Sequence, residues 1–137
     1  MILIDSSVWI DWLRGTVTDA VRFAQQRQGS EERALTHMVY PQVLQGIRLD
    51  SQFILTRDLL GAQTLLAPLH ATQTYEAAAQ LYRSACKLGL TIRKSTDCLI
   101  AAIAIEHDAL LVHNESDFLP LAQLAPEQSV YPVQRRR

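Results

Sequence analysis

The chain has 137 residues, of which 48% are apolar and 20% are charged, and its net charge is -1 at pH 7. This length suits one domain with its own core, and the balance of residues excludes an intrinsically disordered chain. A net charge so close to zero also argues against a general nucleic-acid coat protein, which would be strongly basic. It does not exclude an enzyme that acts on nucleic acid, because acidic catalytic residues offset basic residues elsewhere.

The cysteines and the N-terminal segment indicate where the protein works. Cys86 and Cys98 each lie in an apolar, helix-like stretch, so we predict that both are reduced core residues. The segment Met1–Asp5 lacks the basic region of a signal peptide. No apolar run reaches the roughly 18 residues of a membrane span. We therefore expect a cytoplasmic protein without a membrane partner.

The first half of the chain alternates apolar runs with amphipathic segments. Ile2–Ile4 is a continuous apolar run that suits a buried parallel strand, and Asp5 ends it. Ser6 or Ser7 caps a first helix, which Gly15 ends. The pattern then predicts a helix from about residue 18 to 27, a weak strand over 34–37, helices over 39–46 and 51–60, and an extended piece over 64–67.

The second half repeats this alternation. A long helix begins at Thr72 or Thr74 and ends at Gly89, and its apolar face contains Tyr75, Ala78, Ala79, Leu81, Tyr82, Ala85 and Cys86. A further helix begins at Ser95 or Thr96, a strand follows over Leu110–Val112, and Val130–Tyr131 suits an edge strand. The order predicts an α/β fold with a central, mostly parallel sheet flanked by helices. We expect a single domain over 1–134 and a basic tail over 135–137.

Three aspartates follow the predicted elements at informative places. Asp5 directly follows the first strand, Asp117 follows the Leu110–Val112 strand, and Asp97 lies in the first turn of a helix. Binding sites in α/β folds lie beyond the carboxyl ends of the strands, and carboxylate oxygens are the ligands that Mg²⁺ and Mn²⁺ prefer. Each aspartate alone also fits a turn or a helix cap. The residues by themselves therefore predict only a candidate acidic metal site.

Four blocks of the sequence resemble, in order, those of the PIN-domain family, and most closely its VapC-type toxins of VapBC toxin–antitoxin pairs. These blocks are 2–11, 43–48, 95–102 and 113–118. The resemblance implies a PIN-like fold and an endoribonuclease that depends on Mg²⁺ or Mn²⁺. It implies metal ligation by Asp5, Asp97 and Asp117, and supporting roles behind these ligands for Ser7 and Asn114. It also implies an RNA substrate, a homodimer and a VapB-like antitoxin.

The chain departs from the family pattern at Gln42, where the family normally carries a glutamate that completes the catalytic set. An amide oxygen can accept a hydrogen bond but brings no charge, so we expect weaker metal binding. Either this member is naturally weakened or inactive, or the glutamine is an engineered change. The leading prediction is a metal-dependent ribonuclease, and the alternative is a catalytically inactive PIN-like protein that binds RNA or an antitoxin. A phosphoryl-transfer domain with Asp5 as nucleophile is disfavoured, because Ser7 stands where a second acid is expected.

Overall fold

The computed structural model describes residues 1–27, 32–92, 94–114 and 130–131. In this part of the chain, helices and strands alternate as the sequence predicts. The strands are β1 (Ile2–Ile4), β2 (Arg33–Leu35), β3 (Thr64–Leu65), β4 (Leu110–Val112) and β5 (Val130–Tyr131). The helices are α1 (Ser6–Leu13), α2 (Asp19–Gln26), α3 (Val39–Leu44), α4 (Asp50–Gly61), α5 (Ala71–Lys87) and α6 (Ser95–Glu106).

The strands form one sheet in the order β3-β2-β1-β4-β5, and every neighbouring pair is parallel. The mostly parallel sheet predicted from the sequence is confirmed. β1 lies at its centre, where Ile4 is in register with Val112 of β4. The carboxyl ends of β1 and β4 therefore meet at one edge of the sheet, and Asp5 follows directly at that edge.

The apolar residues form two clusters, and β1 contributes to both. Ile2 and Ile4 belong to a cluster with residues of α1 to α4, whereas Leu3 packs with residues of α5 and α6. Successive side chains of a strand point to opposite faces of the sheet. A continuous apolar run is therefore what a central strand covered by helices on both faces requires.

The end of α2 is held by one side chain of β2. The Arg33 guanidinium donates hydrogen bonds to the carbonyl oxygens of Ala24 (3.0 Å), Gln25 (3.1 Å) and Arg27. It also lies 5.1 Å from the centre of the Trp12 ring. The last carbonyls of a helix lack partners within the helix, so Arg33 both satisfies them and complements the negative end of the helix dipole.

The structure corrects the prediction for one cysteine and shifts several boundaries. Cys98 is buried, but Cys86 is exposed, so the prediction that both are core residues was wrong for Cys86. The reason is that α5 is buried along a single narrow row, and Cys86 lies outside it. α3 ends at Leu44 rather than at Gly46, and β2 covers 33–35 rather than 34–37.

Two predicted features lie outside the described residues, namely the basic tail 135–137 and Asp117. In the part of the chain that the structure describes, no helix has the length and apolar character needed to cross a membrane.

Candidate active site

Asp5 lies where the central strand β1 turns into α1. Its backbone is extended and its side chain caps the helix, with the carboxylate Oδ2 accepting hydrogen bonds from the Ser7 backbone N–H (3.1 Å) and Oγ (2.7 Å). The Asp5 backbone N–H donates to the carbonyl of Val112 in β4 at 2.9 Å. Asp5 is 6% exposed. The strand pairing and the cap therefore fix this carboxylate, and the positive end of the α1 dipole stabilises its charge.

Asp97 lies in the first turn of α6, on the other side of the sheet from α1. It is 4% exposed, and its backbone N–H donates to the Lys94 carbonyl at 3.1 Å. The neighbouring thiol is sensitive to this environment: burial raises the pKa of Cys98 to about 11, and the charges of Asp97 and Cys86 add to the effect. A carboxylate buried at this point is favoured by the α6 dipole.

Gln42 lies in α3 and is held by the residue that follows Asp5. The Ser6 hydroxyl donates a hydrogen bond to the Gln42 side-chain carbonyl oxygen, Oε1. This contact joins the start of α1 to α3 and places the amide of Gln42 beside the carboxyl edge of the sheet. The side chain at the family's glutamate position is thus held in place, although it is neutral.

Asp5, Gln42 and Asp97 meet at one cavity of about 220 Å³. They are far apart in the sequence, and they converge because α1, α3 and α6 all approach the carboxyl ends of β1 and β4. The residues that line this cavity are Asp5, Ser6, Ser7, Ile10, Gln42, Gln45, Lys94, Asp97 and Ile100. Of the four predicted catalytic positions, these three are brought together, and the fourth, Asp117, lies outside the described residues.

The donor set of this cavity suits a hard divalent cation. Two buried carboxylates of like charge beside one small cavity repel each other unless a cation lies between them, and oxygen ligands are what Mg²⁺ and Mn²⁺ prefer. Among the described residues, no group of three or more acidic, histidine or cysteine side chains is close enough to hold a metal ion. Two of the three predicted ligands, Asp5 and Asp97, line the same cavity.

Asn114 contacts a different group of residues. Its Nδ2 donates to Asp11 Oδ2 at 2.5 Å, and its Oδ1 accepts from Thr18 Oγ1 at 3.3 Å. Thr18 in turn accepts from the Val21 N–H and caps α2. Asn114 thus joins the end of β4 to α1 and α2, whereas Ser7, for which a supporting role was also predicted, contacts Asp5 directly.

A wider groove of about 560 Å³ adjoins the acidic cavity, and the two share Ile10 and Gln42. Residues of α1, α3, α4 and the segment that joins α3 to α4 line it, including the apolar side chains of Leu49 and Leu55, which are both exposed. Arg14 and Arg48 lie at the same groove. The surface beside the acidic cavity is therefore apolar with positive charges.

Two residues that line the acidic cavity, Ser6 and Gln45, were not among the predicted site residues. The prediction that Ser6 or Ser7 caps α1 was wrong, because Asp5 is the cap. Ser6 instead holds Gln42, and Gln45 was not singled out. Their positions in the chain are the signal that could have identified them. Ser6 directly follows Asp5, and Gln45 lies three residues after Gln42, a spacing that puts two residues on the same face of a helix.

Comparison with known proteins places this arrangement in a family. Residues 2–124 match the PIN domain. The chain belongs to the PIN-domain family. Two relatives, the VapC ribonuclease Mb1587 of Mycobacterium bovis and the ribonuclease VapC11 of Mycobacterium tuberculosis, are each 36% identical to it over 132 residues. The match covers 94% of this chain and 97% of either relative.

Three solved structures share the fold of this VapC-like chain. VapBC-1 from nontypeable Haemophilus influenzae aligns with a TM-score of 0.70 and 19% identity over 95% of this chain and 96% of that one. FitAcB from Neisseria gonorrhoeae aligns with a TM-score of 0.68 and 17% identity over 96% of both chains. A toxin–antitoxin complex from Klebsiella pneumoniae aligns with a TM-score of 0.65 and 20% identity over 86% of this chain and 90% of that one.

Proposed function

We propose that this VapC-like chain is an endoribonuclease toxin that cleaves RNA with the help of Mg²⁺ or Mn²⁺ and is neutralised by an antitoxin. The observation that carries the proposal is the pair of buried carboxylates, Asp5 and Asp97, at one cavity on the carboxyl edge of a PIN-domain sheet. The mycobacterial relatives, which are named as ribonucleases and are 36% identical to this chain, support the same activity.

Asp5 and Asp97 would hold the metal ion together with Asp117, the third ligand implied by the family. A bound divalent ion neutralises charge that develops on a phosphate and lowers the pKa of a bound water. The protein's own contribution is to keep the ligands in place: Ser7 holds Oδ2 of Asp5 through two hydrogen bonds. Lys94, which lines the same cavity, brings a positive charge that can bind a phosphate oxygen of the RNA.

The test is to remove each carboxylate charge with little change in shape. Asp5→Asn and Asp97→Asn should each lower Mn²⁺ affinity, measured by calorimetry, and RNA cleavage by roughly 100-fold or more. Asp108→Asn is the matched control, because Asp108 is exposed and its positive φ of 51° is one that asparagine tolerates. Cleavage and Mn²⁺ binding that survive either active-site change would contradict the proposal.

The alternative proposal is a catalytically inactive protein that binds RNA or an antitoxin, and the neutral Gln42 supports it. RNA binding and RNA cleavage measured together separate the two proposals. Binding without cleavage at any Mn²⁺ concentration favours the alternative. Cleavage that a chelator abolishes favours the ribonuclease.

We propose that a VapB-like antitoxin binds the groove between α1, α3 and α4. One of the structures that share this fold is named as a toxin–antitoxin complex. The groove adjoins the acidic cavity through Gln42. Its exposed leucines suit an apolar face of a partner segment, and Arg14 and Arg48 suit acidic residues beside that face.

Co-expression with the cognate antitoxin tests this groove. Leu55→Arg places a charge where the apolar contact is expected, so less antitoxin should co-purify and RNA cleavage should escape inhibition. Leu88→Arg is the control, because Leu88 is similarly exposed, at 66% against 70% for Leu55, but lies at the end of α5. Equal recovery of antitoxin with both variants would contradict the assignment.

We further propose that the chain forms a homodimer and acts in the cytoplasm.

A further inference from the structure

The chemistry of the acidic cavity does not by itself distinguish RNA from DNA. Hydrolysis by metal-activated water acts on the phosphodiester bond, and the ribose 2′-hydroxyl takes no part in it. A preference for RNA therefore requires a side chain that recognises the 2′-hydroxyl, the group by which proteins tell RNA from DNA. Such a side chain has to lie close to the phosphate, because the carbon that bears the 2′-hydroxyl is bonded to the carbon that bears the 3′-phosphate.

The charged side chains that line the cavity already have other tasks in the proposed reaction. Ionised Asp5 and Asp97 accept hydrogen bonds but cannot donate them, and they are the proposed metal ligands. Lys94 donates but cannot accept, and it is the proposed contact to a phosphate oxygen. These three groups account for the metal ion and the phosphate but not for the sugar.

Three neutral polar side chains of the cavity are engaged within the protein. The Ser7 hydroxyl donates its hydrogen to Asp5 Oδ2 at 2.7 Å. The Ser6 hydroxyl donates its hydrogen to Gln42 Oε1, which turns the carbonyl end of the Gln42 amide towards α1. These hydrogen bonds join the walls of the cavity to each other, so the three side chains serve the shape of the site.

Gln45 is the remaining polar side chain among the described residues that line the cavity. It is exposed, and within the described part of the chain its amide makes no hydrogen bond. Its backbone is fixed, because it ends α3 and its N–H donates to the Pro41 carbonyl at 3.1 Å. It lies about one turn beyond Gln42 on the same face of α3. A firmly placed amide with an uncommitted donor and acceptor therefore stands at the open side of the cavity.

We propose that Gln45 binds the ribose 2′-hydroxyl of the nucleotide on the 5′ side of the cleaved phosphate and so selects RNA over DNA. The inference rests on the ribonuclease proposed above and names the residue that sets its substrate class. An amide pairs with a hydroxyl in either sense, since it carries both a donor and an acceptor. The ribose is the nearer partner, because the nucleobase lies beyond it, farther from the phosphate.

Gln45 also stands apart from the groove proposed for the antitoxin. The described residues that line this groove share Ile10 and Gln42 with the cavity but do not include Gln45. A change at Gln45 should therefore alter the choice of substrate and leave antitoxin binding intact.

A single missing hydroxyl tests the contact. The wild type first cleaves a mixed-sequence RNA in Mn²⁺ to map a cut site, and the same RNA is then made with one 2′-deoxynucleotide on the 5′ side of that cut. The wild type should cleave the deoxy substrate with about tenfold lower kcat/KM, which is the effect of one lost hydrogen bond. Gln45→Met removes both polar groups at nearly constant length. It should cleave the all-ribose RNA with about tenfold lower kcat/KM and be indifferent to the deoxy substitution.

Gln26→Met is the matched control. Gln26 is likewise exposed at the end of a helix, but Arg33 at the start of β2 holds that end of α2 at the opposite edge of the sheet. This variant should keep the wild-type kcat/KM and the full effect of the deoxy substitution. Gln45→Met should retain the wild-type Mn²⁺ affinity in calorimetry and the wild-type recovery of antitoxin, both of which a general disturbance of the cavity would lower.

Two results would overturn the proposal. One is an equal kcat/KM of the wild type on the ribose and deoxy substrates, and the other is a full deoxy effect in Gln45→Met. If Gln45→Met keeps the deoxy effect and changes the preferred base at the cut, the amide reads a base edge instead and the proposal fails.

Failure of the ribonuclease proposal is distinguishable from failure of this one. If the wild type does not cleave RNA in Mn²⁺, the ribonuclease proposal fails, and binding of RNA and of DNA of the same sequence in the same Mn²⁺ tests Gln45 alone. The wild type should then bind RNA about tenfold more tightly than DNA, and Gln45→Met should bind both alike. Equal binding of RNA and DNA by the wild type would overturn the proposal.

Discussion

Gln42→Glu adds one negative charge to a cavity that already holds the carboxylates of Asp5 and Asp97. The side chains are nearly equal in size, and a carboxylate at position 42 still accepts the hydrogen bond that the Ser6 hydroxyl now donates to Gln42. The geometry should therefore be retained while the charge changes. We therefore expect the variant to be less stable than the wild type without a divalent metal ion and more stable than the wild type with one.

The magnitude follows from the size of the cavity. A cavity of about 220 Å³ is about 7 Å across, and two unit charges at that distance interact by roughly 2 kcal/mol at an effective dielectric constant near 20. Water in the open cavity screens this repulsion, so we expect the metal-free protein to lose about 1–2 kcal/mol of unfolding free energy. The same charge attracts a divalent cation, so Mn²⁺ affinity should rise by about tenfold or more.

The assay is thermal unfolding of both forms in a chelator and in a series of Mn²⁺ concentrations, with RNA cleavage measured in parallel. The glutamate variant should melt below the wild type in chelator and above it in saturating Mn²⁺, and it should cleave RNA faster. Gln73→Glu is the control, because Gln73 is exposed on α5, away from the cavity. Relative to the wild type, this control should show no Mn²⁺-dependent change in melting temperature.

Two results would refute this reasoning. Identical melting shifts with and without Mn²⁺ would show that position 42 does not feel the charge of the metal site. Equal cleavage rates for the wild type and the Gln42→Glu variant would show that the departure from the family pattern has no catalytic cost.

Three further predictions concern stability. Arg33→Lys cannot reproduce three guanidinium contacts, so it should lower the unfolding free energy in urea by about 1–2 kcal/mol, whereas Arg57→Lys in an exposed pair should change it little. Leu60→Ala should lower the unfolding free energy by about 2–4 kcal/mol, because Leu60 is fully buried. The same change at Leu59, which is 43% exposed, should lower it far less. Equal losses for the two variants would contradict the packing of α4. Burial raises the pKa of the Cys98 thiol from 9.0 to about 11, so the unfolded chain loses this proton at a lower pH than the folded chain. The unfolding free energy should therefore fall as the pH rises from about 9 to 11. Cys98→Ala should flatten that part of the plot of unfolding free energy against pH.

The sequence alone determined the element order and the fold class. Ile2–Ile4 and Leu110–Val112 are short apolar runs, and such runs are stable only where helices cover both faces of a sheet. Because parallel strands end at one edge, the residue after Ile4 had to lie at that edge. The position of Asp5 was thus predictable from local pattern, and the family resemblance supplied the expectation that Asp97 and position 42 would join it.

Local pattern could not decide which faces of a helix are covered. The α5 face from Tyr75 to Cys86 has uniform apolar character in the sequence, yet the domain covers only the row through Ala78 and Ala85. Periodicity reports that a side chain is apolar, but the position of the neighbouring helix decides whether it is buried. The exposure of Cys86 follows from that geometry alone.

Tertiary structure also decided the partners of the polar groups. Asn114 could be predicted to lie near the end of β4, but its hydrogen bonds to Asp11 and Thr18 depend on how α1 and α2 pack. The contact between Ser6 and Gln42 likewise joins residues 36 positions apart. The sequence therefore determined which residues can reach the carboxyl edge of the sheet, because the residues that follow a strand are its neighbours in the chain. The packing of helices across the sheet decided which of them meet, because those distances depend on every side chain in between.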